Sequence, residues 1–241
     1  MVSKNQIKRI TSLKLKKYRE QEKRFTAEGV KVISELLLAG FKVEAIYVTE
    51  TLFGEFPKIE TEYVTAAELS KMTALSTANN CLAVFEMPDA KPVEYSGLIV
   101  ALDEIRDPGN LGTIIRLCDW FGINQLVCSP GTADIYNPKV VQATMGSLSR
   151  VNIVYSDLTT FLIQSEMSIF GTFMDGKNIY EQELPSSGII VMGNEANGIS
   201  AEIEKLATER ISIPRFGNLQ QTESLNVATA TAIVLSEFRR K

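Results

Sequence analysis

The chain contains no histidine. This excludes His-based catalytic triads, histidine metal sites and the commonest general base of neutral-pH enzymes. Cysteine is scarce. Cys81, Cys118 and Cys128 are odd in number and no two stand in C-x-x-C spacing, which argues against both a disulfide framework and a zinc site. No apolar run approaches the roughly 20 residues of a membrane span. The opening MVSKNQIKRITSLKLKKYRE lacks the apolar centre of a signal peptide, so a cytoplasmic protein without a membrane partner is expected. No G-x-G-x-x-G occurs, which leaves a dinucleotide-binding site unsupported. The segment from Gly171 to Lys177 has the G-x-x-x-x-G-K spacing of a phosphate loop. There Asn178 replaces the Ser/Thr whose hydroxyl would hold Mg²⁺, and Pro185 follows too soon for a full helix. Neither a metal nor a nucleotide-hydrolase site is expected.

What is present is ordinary in bulk and uneven in detail. Of 241 residues, 45% are hydrophobic and 22% charged, the profile of a soluble globular protein with room for one large domain or two modest ones. The net charge is −4, yet residues 1–24 hold nine Lys/Arg against two Asp/Glu, a net of +7 that leaves −11 on the other 217 residues. A basic segment on an acidic body fits a phosphate-binding arm through Lys14, Lys16 and Lys17. It fits a solvated helix face with surplus lysines equally well, and charge alone does not separate the two.

Periodicity and punctuation predict a helix over 5–18 and another over 27–39, the second capped by Thr26 and stopped by Gly40. Strands are expected at 43–49 and 81–87, and the capping-box spacing of Thr65 and Glu68 opens a short helix. The stretch MPDAKPVEYSG has two prolines, a glycine and no periodicity, and reads as a linker. This gives an N-terminal domain over 1–90, a linker at 91–96 and a C-terminal domain over 97–241. From Gly97, apolar strands (98–105, 125–129, 168–174, 188–192, 210–213) alternate with helical stretches near 111–121, 138–148, 157–164, 200–207 and 224–239. Such alternation predicts an α/β fold with a mostly parallel sheet and helices on both faces.

Three polar sets fall where an apolar strand gives way to a loop or helix, the place where an open α/β sheet makes a ligand crevice. In LDEIRDPGNLGTIIRLCDWFG, Asn110 precedes a helix whose Leu111, Ile114, Ile115, Cys118 and Phe121 form one apolar stripe. Arg116 lies off that stripe, about 9 Å along the axis from Asn110. In IIVMGNEANGIS, Gly193 permits close backbone approach to a ligand, Gly198 permits a turn, and Glu195 stands at a strand end, a poor core position. In QTESLNVATATAIVLSEFRR, Ser224 and Asn226 open a helix whose small apolar residues suit a buried element, where the Asn226 amide would need partners. Each set alone reads at least as well as a turn, a solvated acid, a surface arginine or a helix start.

Taken together and in this order, the sets resemble the SpoU (TrmH-like) family of RNA 2′-O-ribose methyltransferases from Gly97 to the C-terminus. Asn110 and Arg116 match its first motif, Gly193, Asn194 and Glu195 its second, and Ser224, Leu225 and Asn226 its third. Phe25, Glu28 and Gly29, beside Arg24 in RFTAEG, resemble the small RNA-binding domain that often precedes it. The resemblance implies a C-terminal segment threaded as a trefoil knot, and a homodimer through the C-terminal domain with active sites at the subunit interface. It implies S-adenosylmethionine bound without metal by Gly193, Ile213 and Leu225, with Thr172 as a further candidate. RNA contacts fall to Lys14, Lys16, Lys17, Arg24, Phe25 and Glu28.

The family's catalytic residue corresponds to Arg116. A guanidinium seldom gives up its proton, so Arg116 is expected to act as a cation that stabilises the developing alkoxide. Asn110, Glu195, Ser224 and Asn226 would then orient Arg116 and the ribose. The two-domain layout favours ribosomal over transfer RNA. Two departures bear on substrate choice: Gln142 stands where the family's PK-x-x-R stretch has arginine, and the loop over 215–223 is longer. A transfer-RNA enzyme, a knotted base methyltransferase and a catalytically silent RNA-binding protein of the same fold remain the alternatives.

Overall fold

The computed structural model describes residues 2–54, 56, 59–217 and 224–240. Its chain divides into two compact units, Met1–Asp89 with Asp134–Arg150, and Ala90–Ala133 with Val151–Lys241. Residues 134–150 thus group with the first unit, although in sequence they lie within the 97–241 span. In chain order the first elements are α1 (Lys4–Ser12), α2 (Lys16–Glu22), β1 (Arg24–Glu28), α3 (Val30–Leu38), β2 (Val43–Val48), β3 (Glu62–Tyr63), α4 (Ala66–Met72) and β4 (Cys81–Glu86). There follow β5 (Leu98–Leu102), α5 (Pro108–Trp120), β6 (Gln125–Cys128), α6 (Pro138–Thr144), β7 (Asn152–Tyr155) and α7 (Leu158–Ile163). The last are β8 (Ile169–Asn178), β9 (Gly188–Met192), α8 (Ala201–Glu204), β10 (Glu209–Ser212) and α9 (Val227–Arg239).

The first unit holds a four-stranded sheet in the order β1-β4-β2-β3, with β4 antiparallel to both neighbours. It corrects two expectations. The helix expected over 5–18 is two helices, broken at Leu13–Leu15. The guanidinium of Arg19, 1% exposed, donates through Nη1 to the carbonyls of Leu13 and Lys14, both at 2.8 Å, acceptors that a continuous helix would need. The helix expected over 27–39 begins only at Val30. Residues 24–28 pair with β4, Phe25 opposite Phe85, and Gly29 turns the chain at φ +84°, in the left-handed region that favours glycine. The capping box at Thr65 forms as expected: its hydroxyl accepts from the Glu68 amide (3.2 Å) and its own amide donates to the Glu68 carboxylate (2.9 Å).

The second unit carries six strands in the order β10-β8-β9-β5-β6-β7, every pairing parallel. The expected α/β fold is present. Sequence reading omits β7, a four-residue edge strand too short to show a pattern. It also stops β8 early. Residues 171–177, spaced like a phosphate loop, are strand here. A Cβ on Gly176 would lie 2.5 Å from the Ile211 backbone, so this glycine serves the close approach of β10 to its parallel neighbour β8. Helix α5 buries Leu111, Ile114, Ile115 and Cys118 against the sheet side, each Leu or Ile contributing about 1.5–3 kcal/mol. Helix α9, whose composition suggested burial all round, buries Val227, Ala228, Thr231, Val234, Leu235 and Phe238 on one face. Among the described residues no helix is long and apolar enough to cross a membrane.

All three cysteines are buried. Burial pushes the thiol of Cys81 up to about 11 and that of Cys118 up to about 12, and raises that of Cys128 as well. A disulfide reagent at pH 8 should therefore find no fast-reacting thiol in the folded protein and three in denaturant. A thiol reacting rapidly under native conditions would contradict the burial.

Candidate active site

The sheet register brings two of the polar sets side by side. Leu102 at the end of β5 lies opposite Met192 at the end of β9, so the loops that follow start as neighbours at the carboxyl edge. The first runs into α5, where Asp107 is the N-cap, its carboxylate accepting from the Asn110 amide at 2.8 Å, and Pro108 takes the first turn. The second closes on itself: the Asn194 amide donates to the Gly198 carbonyl (2.9 Å) and the Gly198 amide to the Asn194 carbonyl (2.8 Å). Two ties hold this segment to the residues that follow β5. The Asn194 Nδ2 donates to the Glu104 carbonyl (2.6 Å), and the Ser200 amide donates to the buried Asp103 carboxylate (2.7 Å).

The third set completes the arrangement. Asn226 caps α9, its Oδ1 accepting from the amides of Ala228 (3.0 Å) and Thr229 (3.2 Å). That leaves its Nδ2 free to donate to the Asn110 Oδ1 at 3.0 Å, and the Asn110 Nδ2 donates in turn to the Glu195 carboxylate at 2.6 Å. The direction of each bond follows from the cap: with Asn226 Oδ1 committed, both amides have one arrangement, and the chain of donors ends on an acceptor-only carboxylate. One residue from each polar set is thereby joined.

Glu195 also lines a cavity of about 1140 Å³ in the second unit. Its wall includes Thr172, Gly193, Ile213, Ser224 and Leu225, the last between Ser224 and the Asn226 cap. Apolar surface comes from Met192, Ile211, Ile213, Leu225 and Val227. Thr172 spends its hydroxyl on the Val191 carbonyl at 2.9 Å, so it shapes the wall rather than offering a free donor. Gly193 lines the cavity, but its missing side chain makes room for the protein's own backbone: a Cβ there would lie 2.3 Å from the Gly198 carbonyl carbon and 2.4 Å from the Ile199 nitrogen. The missing Cβ thus serves the packing of the 194–198 loop, while Gly193 keeps its place on the wall.

Arg116 stands apart. It is exposed on α5, absent from the cavity wall, and makes no ion pair or hydrogen bond among the described residues. Sequence reading passed over Asp103, Glu104 and Asp107. The Asp107-Pro108 pair is a helix-start signature that could have been read. The role of Glu104 could not, because it depends on a left-handed backbone (φ +57°) that aims its carbonyl at Asn194. The longer loop over 215–223 lies partly outside the described residues.

Residues 97–236 match the model of the SpoU rRNA methylase family. The chain belongs to that family. Residues 4–83 match an MRM3-like substrate-binding domain. Over 98% of its length the chain is 30% identical to the 23S rRNA (guanosine(2553)-2′-O)-methyltransferase RlmP of Bacillus subtilis, covering 97% of that protein. It is 33% identical over 149 residues to the 23S rRNA (guanosine-2′-O-)-methyltransferase RlmB of Neisseria meningitidis, 60% of this chain and 58% of that one. Among solved structures, a putative RNA methyltransferase of the TrmH family from Porphyromonas gingivalis superposes with a TM-score of 0.87 at 36% identity, covering 99% of this chain and 98% of that one. An AdoMet-bound rRNA methyltransferase from Sinorhizobium meliloti gives 0.87 at 28% identity over 99% and 96%.

In the SpoU frame, the expected RNA-contacting residues of the first unit separate into two groups. Lys14, Lys16 and Lys17 are exposed. Arg24 is half-buried and paired with Glu44 (2.6 Å) and Glu86 (3.1 Å). Phe25 and Glu28 are corrections. Phe25 is fully buried, stacked on Phe85 at 5.7 Å and against Tyr136 at 4.7 Å. Glu28 is 4% exposed and accepts from the Thr73 hydroxyl (2.6 Å) and the Ala74 amide (2.8 Å). Both organise the interior of the unit and offer RNA no surface.

Proposed function

We propose that this chain transfers a methyl group from S-adenosylmethionine to a ribose 2′-hydroxyl of ribosomal RNA. The observation that carries the reading is the bonded series Asn226–Asn110–Glu195 ending on the wall of the cavity. The cavity has room for the cofactor and a chemistry that suits it. It exceeds the roughly 300–1000 Å³ of small-molecule sites, and it combines apolar surface for an aromatic ring with loop backbone for polar ends. Gly193, Ile213 and Leu225 would hold the cofactor, with Thr172 shaping the wall. The relatives named as 23S rRNA methyltransferases favour ribosomal over transfer RNA.

When bound, S-adenosylmethionine supplies a sulfonium methyl group open to in-line displacement. The protein's task is to align the ribose oxygen and stabilise the charge it develops, and alignment alone can lower a barrier by about 7–11 kcal/mol. Asn110 and Glu195, each fixed by the next, orient the ribose. Arg116 acts as a cation beside the 2′-oxygen and its neighbouring phosphate, with the proton passing to phosphate or water. Because Arg116 is separate from the series within one chain, we infer a homodimer through the C-terminal domain in which Arg116 of one copy serves the site of the other. Trp120, one turn further along α5 and 84% exposed, would then be covered. The family's trefoil knot is inferred on the same footing, as the path that places Asn226 against Asn110.

Calorimetry should show S-adenosylmethionine binding in the micromolar range in the presence of a chelator. Binding that disappears without magnesium would sink the cofactor assignment. Mapping ribose methylation in ribosomal RNA from cells with and without this gene tests the reaction itself. One ribose should lose its methyl group in the deletion, and an unchanged map would reject the reading.

A further inference from the structure

Lys14, Leu15, Lys16, Lys17 and Tyr18 are five consecutive exposed residues at the break between α1 and α2, with Leu15 60% and Tyr18 37% exposed. The Lys17 ammonium lies 6.0 Å from the Tyr18 ring centroid, the outer limit of a cation–π contact. Among the described residues the ring stacks on no other aromatic group and its hydroxyl has no hydrogen-bond partner. A partly exposed aromatic ring, with the Lys17 ammonium on one side, thus sits among three lysines.

The backbone that displays these side chains is fixed from beneath. Arg19 is almost fully buried; its Nη1 holds the carbonyls of Leu13 and Lys14, and its Nε donates to the Asp134 carboxylate at 3.0 Å. A display held in place before a ligand arrives avoids part of the ordering cost of binding.

We propose that this turn recognises an unpaired nucleotide of the substrate RNA, with flanking phosphates on Lys14, Lys16 and Lys17 and the base stacked on Tyr18. The proposal rests on the RNA-methyltransferase reading and narrows it. Lysines neutralise phosphates in paired and unpaired RNA alike. A ring can separate the two, because bases inside an A-form duplex are already stacked, whereas those in loops and bulges can splay onto an aromatic face.

The test uses the full chain with two fluorescein-labelled RNAs of equal length, a hairpin with a pyrimidine loop and a blunt duplex. Tyr18→Ala should weaken hairpin binding about tenfold, in line with the loss of one base–aromatic stack, and leave duplex binding and the thermal midpoint unchanged. Tyr18→Phe should bind both like the parent. Replacing Lys14, Lys16 and Lys17 together with alanine should flatten the salt dependence on both RNAs by about three phosphate contacts. If Tyr18→Ala leaves the hairpin unaffected, or weakens both RNAs equally, the stacking proposal is overturned. A lysine variant with an unaltered salt slope overturns the whole turn as an RNA contact. In each of these outcomes the methyltransferase reading stands or falls separately, on cofactor calorimetry and the methylation map.

Discussion

Arg116→Ala should lower single-turnover methylation by about 10²-fold or more, the range for loss of one preorganised charge stabiliser, while folding and cofactor affinity stay near the parent's. The structure supplies the reason for the separation. Arg116 lies outside the buried stripe of Leu111, Ile114, Ile115 and Cys118, so truncating it opens no cavity, and alanine is a good helix former. It is absent from the cavity wall and from the Asn226–Asn110–Glu195 series, so neither is disturbed. Arg116→Lys should recover little, because a point charge does not reproduce the two simultaneous hydrogen bonds of a planar fork. A turnover near the parent's would reduce Arg116 to a surface arginine. Loss of folding would show that the helix face had been misassigned.

The two units differed in how far their residues could be read in advance, and the difference has a physical source. In the second unit, strands are continuous apolar runs bounded by glycine and polar turns, so five of the six lie within a few residues of their expected spans, although β8 runs on to Asn178. In the first unit, local preference is overruled by long-range contacts. The 5–18 segment reads as one helix until Arg19, anchored on Asp134 far along the chain, claims the carbonyls of Leu13 and Lys14. Phe25 and Glu28 carry family likeness, but only the pairing of β1 with β4 turns them inward. The same division holds at the site. The residue types at each strand end were legible. That Asn226 would donate to Asn110, and Asn110 to Glu195, was not, because it depends on Leu102 lying opposite Met192 and on one oxygen being committed to a helix cap.

Gly193→Ala should be more damaging than so small a change suggests, with methyl transfer down about 100-fold, the cost of misplacing reacting groups by about 1 Å. Its Cβ would come within 2.3 and 2.4 Å of backbone atoms of Gly198 and Ile199, where carbon contacts need roughly 3.5–4 Å. Backbone cannot rotate aside as a side-chain tip can, so the 194–198 loop must shift by about 1 Å or more. That loop is bonded end to end through Asn194 and Gly198 and tied to Asp103 through Ser200, so it moves as a unit. Glu195 moves with it, away from the 2.6 Å contact with Asn110, and the cavity wall on that side moves too, so cofactor affinity should fall as well. Gly198→Ala is the control. Its φ of +69° makes alanine strained by roughly 1–2 kcal/mol, yet nothing lies within 4 Å of the added carbon. It should lower the unfolding temperature through that strain without forcing the 194–198 loop away from Asn110. Should Gly193→Ala bind cofactor and turn over like the parent, the rigid loop is not what aligns Glu195, and the site must be held by α5 and α9 alone.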